Sequence, residues 1–171
     1  MPYSYGEFKT QVRDHIVDNF PRSTKILDVG AGSGTYGNLL KPHYDVVDAI
    51  EVFPEYVKMF DLRSRYNYVH IGNIMQFGFE GYDYLVLGDV LEHLTVSDAT
   101  SLIERIDALG KKALVAVPYM FEQGIEFGNI YETHHQPDLT VARMYQRYHT
   151  LRLIYGDLGY GYYINYIPPI K

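Results

Sequence analysis

The chain contains no cysteine, which excludes a disulfide framework and a thiolate zinc site. It also has no basic run. Fifteen Lys and Arg against 21 Asp and Glu leave a net charge of −6, so no groove for a series of phosphates is advertised and no nucleic-acid partner is expected. Nowhere do about 18 apolar residues follow one another, and the opening MPYSYGEFKTQ lacks the apolar stretch of a secretory signal. A soluble, cytoplasmic protein without a membrane partner is expected. Tryptophan is absent, whereas 18 tyrosines are present, many of them after Tyr119. Their amphipathic rings suit a pocket lining or the cover of a small core. There is no internal repeat and no low-complexity linker. With 47% apolar and 21% charged side chains over 171 residues, the composition is that of one globular domain spanning 1–171.

The most informative stretch is Lys25 to Gly37, KILDVGAGSGTYG. A short apolar run, Ile26 to Val29, leads into Gly30, Gly32 and Gly34, and Tyr36 to Leu40 then continues as a helix. A strand, a glycine loop and a helix in that order bring backbone close to a polar ligand with no Cβ in the way. Two glycine patterns overlap. Gly32, Gly34 and Gly37 fit the G-x-G-x-x-G of a dinucleotide fold, while Gly30, Gly32 and Gly34 fit a G-x-G-x-G loop. The second begins where the strand ends. Asp28, two residues before Gly30, would repel a pyrophosphate and attract a cationic amino-acid moiety.

Asp28-x-Gly30-x-Gly32-x-Gly34 resembles motif I of class I S-adenosylmethionine-dependent methyltransferases. A second stretch, Tyr82 to Leu94 (YDYLVLGDVLEHL), resembles the central strand and following loop of small-molecule members of that family. The resemblance covers Lys25 to Pro118 by motif and the rest by element order. It implies an α/β, doubly wound, Rossmann-like fold. The sheet would have seven mostly parallel strands, the last antiparallel, with helices on both faces. It implies S-adenosyl-L-methionine as cofactor, held by Asp28, Gly30, Gly32, Gly34, Glu51, Phe53, Asn73, Ile74 and Asp89. An acidic residue is common in the family where this chain has Asn73, whose carbonyl oxygen can still accept from an adenine amino group. The two-proline tetrapeptide of nucleobase amino methylation is missing at Asp89, which leaves a small-molecule or other non-nucleic-acid acceptor, methylated at O or N.

The other elements follow from periodicity. Ser4 to Glu7 has capping-box spacing, and Phe8, Val12, Ile16 and Phe20 recur every four residues, so a helix over 4–20 is expected, closed by Pro21. Asp45 to Glu51 reads as the second strand and ends in a carboxylate about 20 residues beyond the loop, the place of a ribose ligand in a βαβ unit. Phe53 follows and suits the adenine face, and Pro54 opens a helix to Leu62. Tyr66 to His70 reads as the third strand, and Met75 to Gly81 is too short for a full crossover helix. A helix capped within Thr95–Asp98 places Ala99, Leu102, Ile103, Ile106 and Leu109 on one face and stops at Gly110. Ala113 to Pro118 is a buried strand. Asp138 to Arg147 reads as a helix, and Leu151–Tyr155 with Tyr160–Ile167 as an antiparallel hairpin.

Between them, residues 119–137 have no period, and a loop of that length is usually functional. Its aromatic residues with Glu132, His134 and His135 predict an acceptor lid. His93 follows the central strand and should face the transferred methyl group, so His93 and His134 are the candidate catalytic residues. Glu132, His134 and His135 together have metal-ligand chemistry, yet no aspartate-rich metal phrase accompanies them, and no metal is expected. A non-catalytic S-adenosylmethionine-binding partner protein and an NAD-dependent oxidoreductase remain alternatives, and a homodimer is left open.

Overall fold

Unbroken apolar runs become the strands of one sheet: β1 (Lys25–Val29), β2 (Val46–Glu51), β3 (Val69–Ile71), β4 (Tyr84–Gly88), β5 (Lys112–Pro118), β6 (Arg152–Gly156) and β7 (Tyr160–Ile164). These come from a computed structural model that describes residues 5–167. The strand order is β3-β2-β1-β4-β5-β7-β6. The first five pair in parallel, with Leu27 opposite Asp48 on one side and Leu85 on the other. β7 runs antiparallel to both β5 and β6. The expected doubly wound fold with a reversed last strand is therefore present.

Alternation along each strand sends side chains to two faces, and two cores result. Leu27, Leu85, Leu87 and Val115 pack with Ala99, Leu102, Ile103 and Ile106 of α5 (Val96–Ala108) on one face. Ile26, Val86 and Leu114 pack on the other with Val12 and Ile16 of α1 (Lys9–Asn19) and with Tyr36 and Leu40 of α2 (Thr35–Leu40). Thr95 caps α5, its hydroxyl accepting the Asp98 N–H at 3.1 Å. Leu109, expected on the buried face, is the C-cap residue and is exposed, because the helix has already ended.

Other boundaries differ from expectation as well: β3 starts at Val69 rather than Tyr66, and β7 ends at Ile164 rather than Ile167. α1 begins at Lys9 behind Phe8, whose φ of 60° ends the incoming chain direction. The buried stripe is consequently Lys9, Val12 and Ile16, and Ser4 of the expected capping box lies outside the described residues. The helix expected from Pro54 to Leu62 is split into α3 (Pro54–Met59) and α4 (Leu62–Arg65) by left-handed Asp61, a conformation that a short polar side chain tolerates. The break turns Leu62 into the core and brings Arg65 to the Ser33 carbonyl at 3.1 Å. α6 (Val141–Arg147) is capped by Thr140, while Asp138, expected inside it, pairs with Arg147 at 2.7 Å.

Between β3 and β4 there is one 3-10 turn, Ile74–Gln76, and no crossover helix. Arg105 of α5 closes this short passage by donating to the carbonyls of Ile74, Met75 and Phe77. No helix among the described residues is long and apolar enough to cross a membrane.

Candidate cofactor and acceptor site

The chain lays down β1, β2 and β3 outward in one direction and then crosses back to β4, so β1 and β4 flank a switch point where an open parallel sheet leaves a crevice at its carboxyl edge. A cavity opens there, about 900 Å³ with the open solvent at its entrance included. Gly30, Gly32, Glu51, Asn73, Ile74, Asp89 and His93 all line it.

The loop after β1 carries positive φ at Gly30, Gly32 and Gly34, 67°, 49° and 79°. Residues bearing a Cβ resist such a path, so the Gly30-Gly32-Gly34 pattern describes the turn. Gly37, which belongs to the competing pattern, has a different job. A Cβ there would meet the Tyr66 ring at 2.5 Å, and its N–H donates to the Tyr66 hydroxyl at 3.1 Å.

Glu51 closes β2 at 3% exposure. Its two carboxylate oxygens accept the N–H of Gly32 at 3.0 Å and of Phe53 at 2.9 Å. Burial pushes its pKa above the usual range, and these backbone donors hold it down. Asn73 caps the 3-10 turn by accepting the Met75 N–H at 2.9 Å, which leaves its second carbonyl lone pair and its amide group for a ligand. Asp89, at φ 59°, accepts the Tyr160 hydroxyl at 2.5 Å.

Asp28, Gly34, Phe53 and His134 are not among the residues lining this cavity. Asp28 is buried behind the loop, where the Tyr66 hydroxyl donates to it at 2.5 Å. Burial lifts its pKa to about 7 against the pull of Tyr66 and of Lys9. Gly34 turns the chain into α2. Phe53 packs its ring edge-on to Tyr56, and its neighbour Val52 reaches the cavity instead. His134 stands beside His93, ring centroids 4.7 Å apart, but opens to a separate depression with Glu122, Gln123, Gly124 and Pro137.

Residues 119–137 contribute three side chains to the cavity wall. They are Asn129, Tyr131 and Glu132. Glu132 is held by the Tyr56 hydroxyl at 2.9 Å and the Gln123 amide at 2.8 Å. The backbone N–H groups of His135 and Gln136 both donate to the Glu92 carbonyl, at 2.8 and 3.1 Å. His93 is drawn down to a pKa of about 4, first by burial and then by His134. A ring that gives up its proton so readily is a weak base at neutral pH and presents a lone pair instead.

Sequence reasoning missed Lys9, Tyr36, Tyr56 and Tyr160. Lys9 is buried, donates to the Tyr36 hydroxyl at 2.7 Å and lies 4.1 Å from that ring's centroid. Burial lowers its pKa to about 8, with Asp89 and Asp28 opposing. The signal available was its spacing, since residue 9 shares a helical face with Val12 and Ile16.

No family model and no curated protein matches this chain in sequence. Solved structures do match it. CalS10, an amino pentose methyltransferase from Micromonospora echinaspora solved with SAM bound, aligns at TM-score 0.52 and 23% identity over 62% of this chain, which spans only 48% of that protein's length. An S-adenosylmethionine-dependent methyltransferase from Clostridium acetobutylicum aligns at TM-score 0.69 and 11% identity, covering 95% of this chain and 91% of that one. DhpI, solved as its SAH complex, aligns at TM-score 0.70 and 12% identity over 91% and 79%. With the sheet order and the switch-point cavity, these likenesses establish that the chain has the fold of class I S-adenosylmethionine-dependent methyltransferases.

Proposed function

We propose that the protein is an S-adenosylmethionine-dependent methyltransferase acting at O or N of a small-molecule or other non-nucleic-acid acceptor. The observation that carries this reading is one continuous cavity running from Glu51 and Asn73, past the glycine loop, to His93. One end suits an adenosine and the other opens towards an acceptor. The donor set fits the cofactor. The Glu51 carboxylate, already held by two N–H groups, keeps lone pairs for a ribose diol. Asn73 and Ile74 edge the adenine position, and the loop at Gly30 leaves room that a Cβ would lose to Val90 at 3.0 Å. Asp28 acts from behind the loop as a source of negative potential for the amino-acid end.

When bound, the cofactor supplies an electrophilic methyl group. Its transfer to acceptor oxygen or nitrogen would leave a neutral thioether, with the acceptor's proton lost to solvent. The protein's own work is alignment and exclusion of water. Residues 119–137 act as a lid over the acceptor, and His93 orients it, with the His134 ring packed behind. The likeness of the fold to proteins solved with SAM or SAH supports the choice of cofactor.

Calorimetry with SAM, SAH and NAD tests the proposal. Saturable binding of SAM and SAH without NAD is expected. Preference for NAD would replace this reading with the oxidoreductase, and bound SAM that is never turned over with any acceptor would favour a non-catalytic binding partner.

A further inference from the structure

We propose that Glu92, His93 and His134 form a binding site for one divalent transition-metal ion at the acceptor end of the cavity. The atoms these three residues offer as ligands all lie within 4.8 Å of one another, close enough for one ion to touch all three after small rotamer changes.

Each ring is already oriented. Nδ1 of His93 lies 3.4 Å from the Thr133 carbonyl oxygen and Nδ1 of His134 lies 2.8 Å from that of Phe121. A carbonyl only accepts, so in these contacts Nδ1 carries the proton and Nε2 carries the lone pair, the arrangement that outer-shell partners impose on metal-binding histidines. The segment carrying His134 is pinned to that carrying Glu92 by the N–H bonds to the Glu92 carbonyl and by the Gln136 amide, which donates to the carbonyls of Leu91 and Leu94. The cluster is thus assembled by backbone as well as side-chain contacts.

The independent observation is the Glu92 carboxyl group. It is 1% exposed, and neither oxygen has a hydrogen-bond partner. A buried carboxyl left with nothing to bind is costly and rare, and an ion is one of the few things that removes the cost. Asp89 and Glu132 add negative charge around it.

Two imidazoles and one carboxylate select Zn²⁺, Mn²⁺, Fe²⁺ or Co²⁺ over Mg²⁺ and Ca²⁺, which take oxygen ligands. Three protein ligands leave coordination positions open. Because His93 lines the main cavity, the ion would lie beside the place an acceptor would occupy. Resting on the proposed methyl transfer, the ion would draw in an acceptor hydroxyl and ease loss of its proton to solvent, and the substrate class narrows to oxygen acceptors.

The test uses the full untagged chain, stripped with a chelator and titrated with Zn²⁺ by calorimetry and with Co²⁺ by visible absorption, without cofactor. One equivalent should bind, with a cobalt spectrum of nitrogen and oxygen ligation. His93→Ala and His134→Ala should each weaken binding at least about a hundredfold, since losing only an outer-shell partner already costs 10–100-fold. Glu92→Gln, of the same shape, should weaken it at least tenfold, and the control His149→Ala should leave it unchanged. Circular dichroism establishes that each variant is folded. No saturable binding to the wild type, or binding within twofold of wild type in both histidine variants, would overturn the site. SAH titration run in parallel separates the two readings: metal bound without SAH leaves the site standing and sinks the methyltransferase, and the reverse outcome sinks the site alone.

Discussion

Replacing Glu51 by alanine probes the cofactor site most directly, because the proposed ribose ligand is also a clamp on the backbone and the two tasks have different readouts. As the proposed ribose ligand it supplies charge-assisted hydrogen bonds worth about 1.5–3 kcal/mol, and at 1.4 kcal/mol per factor of ten their loss weakens SAH binding roughly ten- to a hundredfold. As a clamp it holds the N–H groups of Gly32 and Phe53 at 3.0 and 2.9 Å from a site 3% exposed. Removing it admits water to those donors and relieves one buried charge. The net cost to the fold is then about 1–3 kcal/mol, and each kcal/mol lowers the melting temperature by roughly 2–4 °C in a chain of this size. Calorimetry with SAH and a thermal melt of the unliganded protein measure the two effects separately. A variant that melts lower yet binds SAH like wild type would refute the ribose role and leave Glu51 as a clamp. One that melts normally would refute the two backbone hydrogen bonds as stabilising contacts.

Asp28 makes stability fall with rising pH. Its folded pKa, about 7, lies above the ordinary 3.8, so the folded chain binds more protons between those values, and the contribution present below about pH 3.8 is lost as pH rises through 7. The loss is on the order of 4 kcal/mol. Asp28→Asn should remove that slope in denaturant titrations at pH 5 and pH 8, and an unchanged slope would contradict a buried carboxyl at this position. Tyr56→Phe removes the hydroxyl that holds Glu132 at 2.9 Å. Amide exchange across 119–137 should rise about tenfold, whereas exchange equal to wild type would mean that this contact does not hold the segment closed.

What the sequence determines by itself is what depends on near neighbours. Apolar runs and helical spacing give the elements and their order. The alternation of strands with helices dictates a parallel sheet, and the glycines at 30, 32 and 34 dictate a left-handed turn, since each of these follows from local sterics and periodicity. Glu51 is legible for the same reason: the end of a strand, counted from the loop, has a defined place in a βαβ unit. Tertiary packing decides the rest. Whether Phe53 or Val52 meets the cavity depends on how Tyr56 packs. Asp28 faces Tyr66 because Gly37 lets that ring approach. Lys9 is buried because the face it shares with Val12 and Ile16 lies over Tyr36. His93 and His134, far apart in the chain, meet at 4.7 Å beside Glu92, whose backbone carbonyl takes the N–H groups of His135 and Gln136. No spacing rule encodes that meeting, because it comes from hydrogen bonds between a loop after β4 and a segment that has no period of its own.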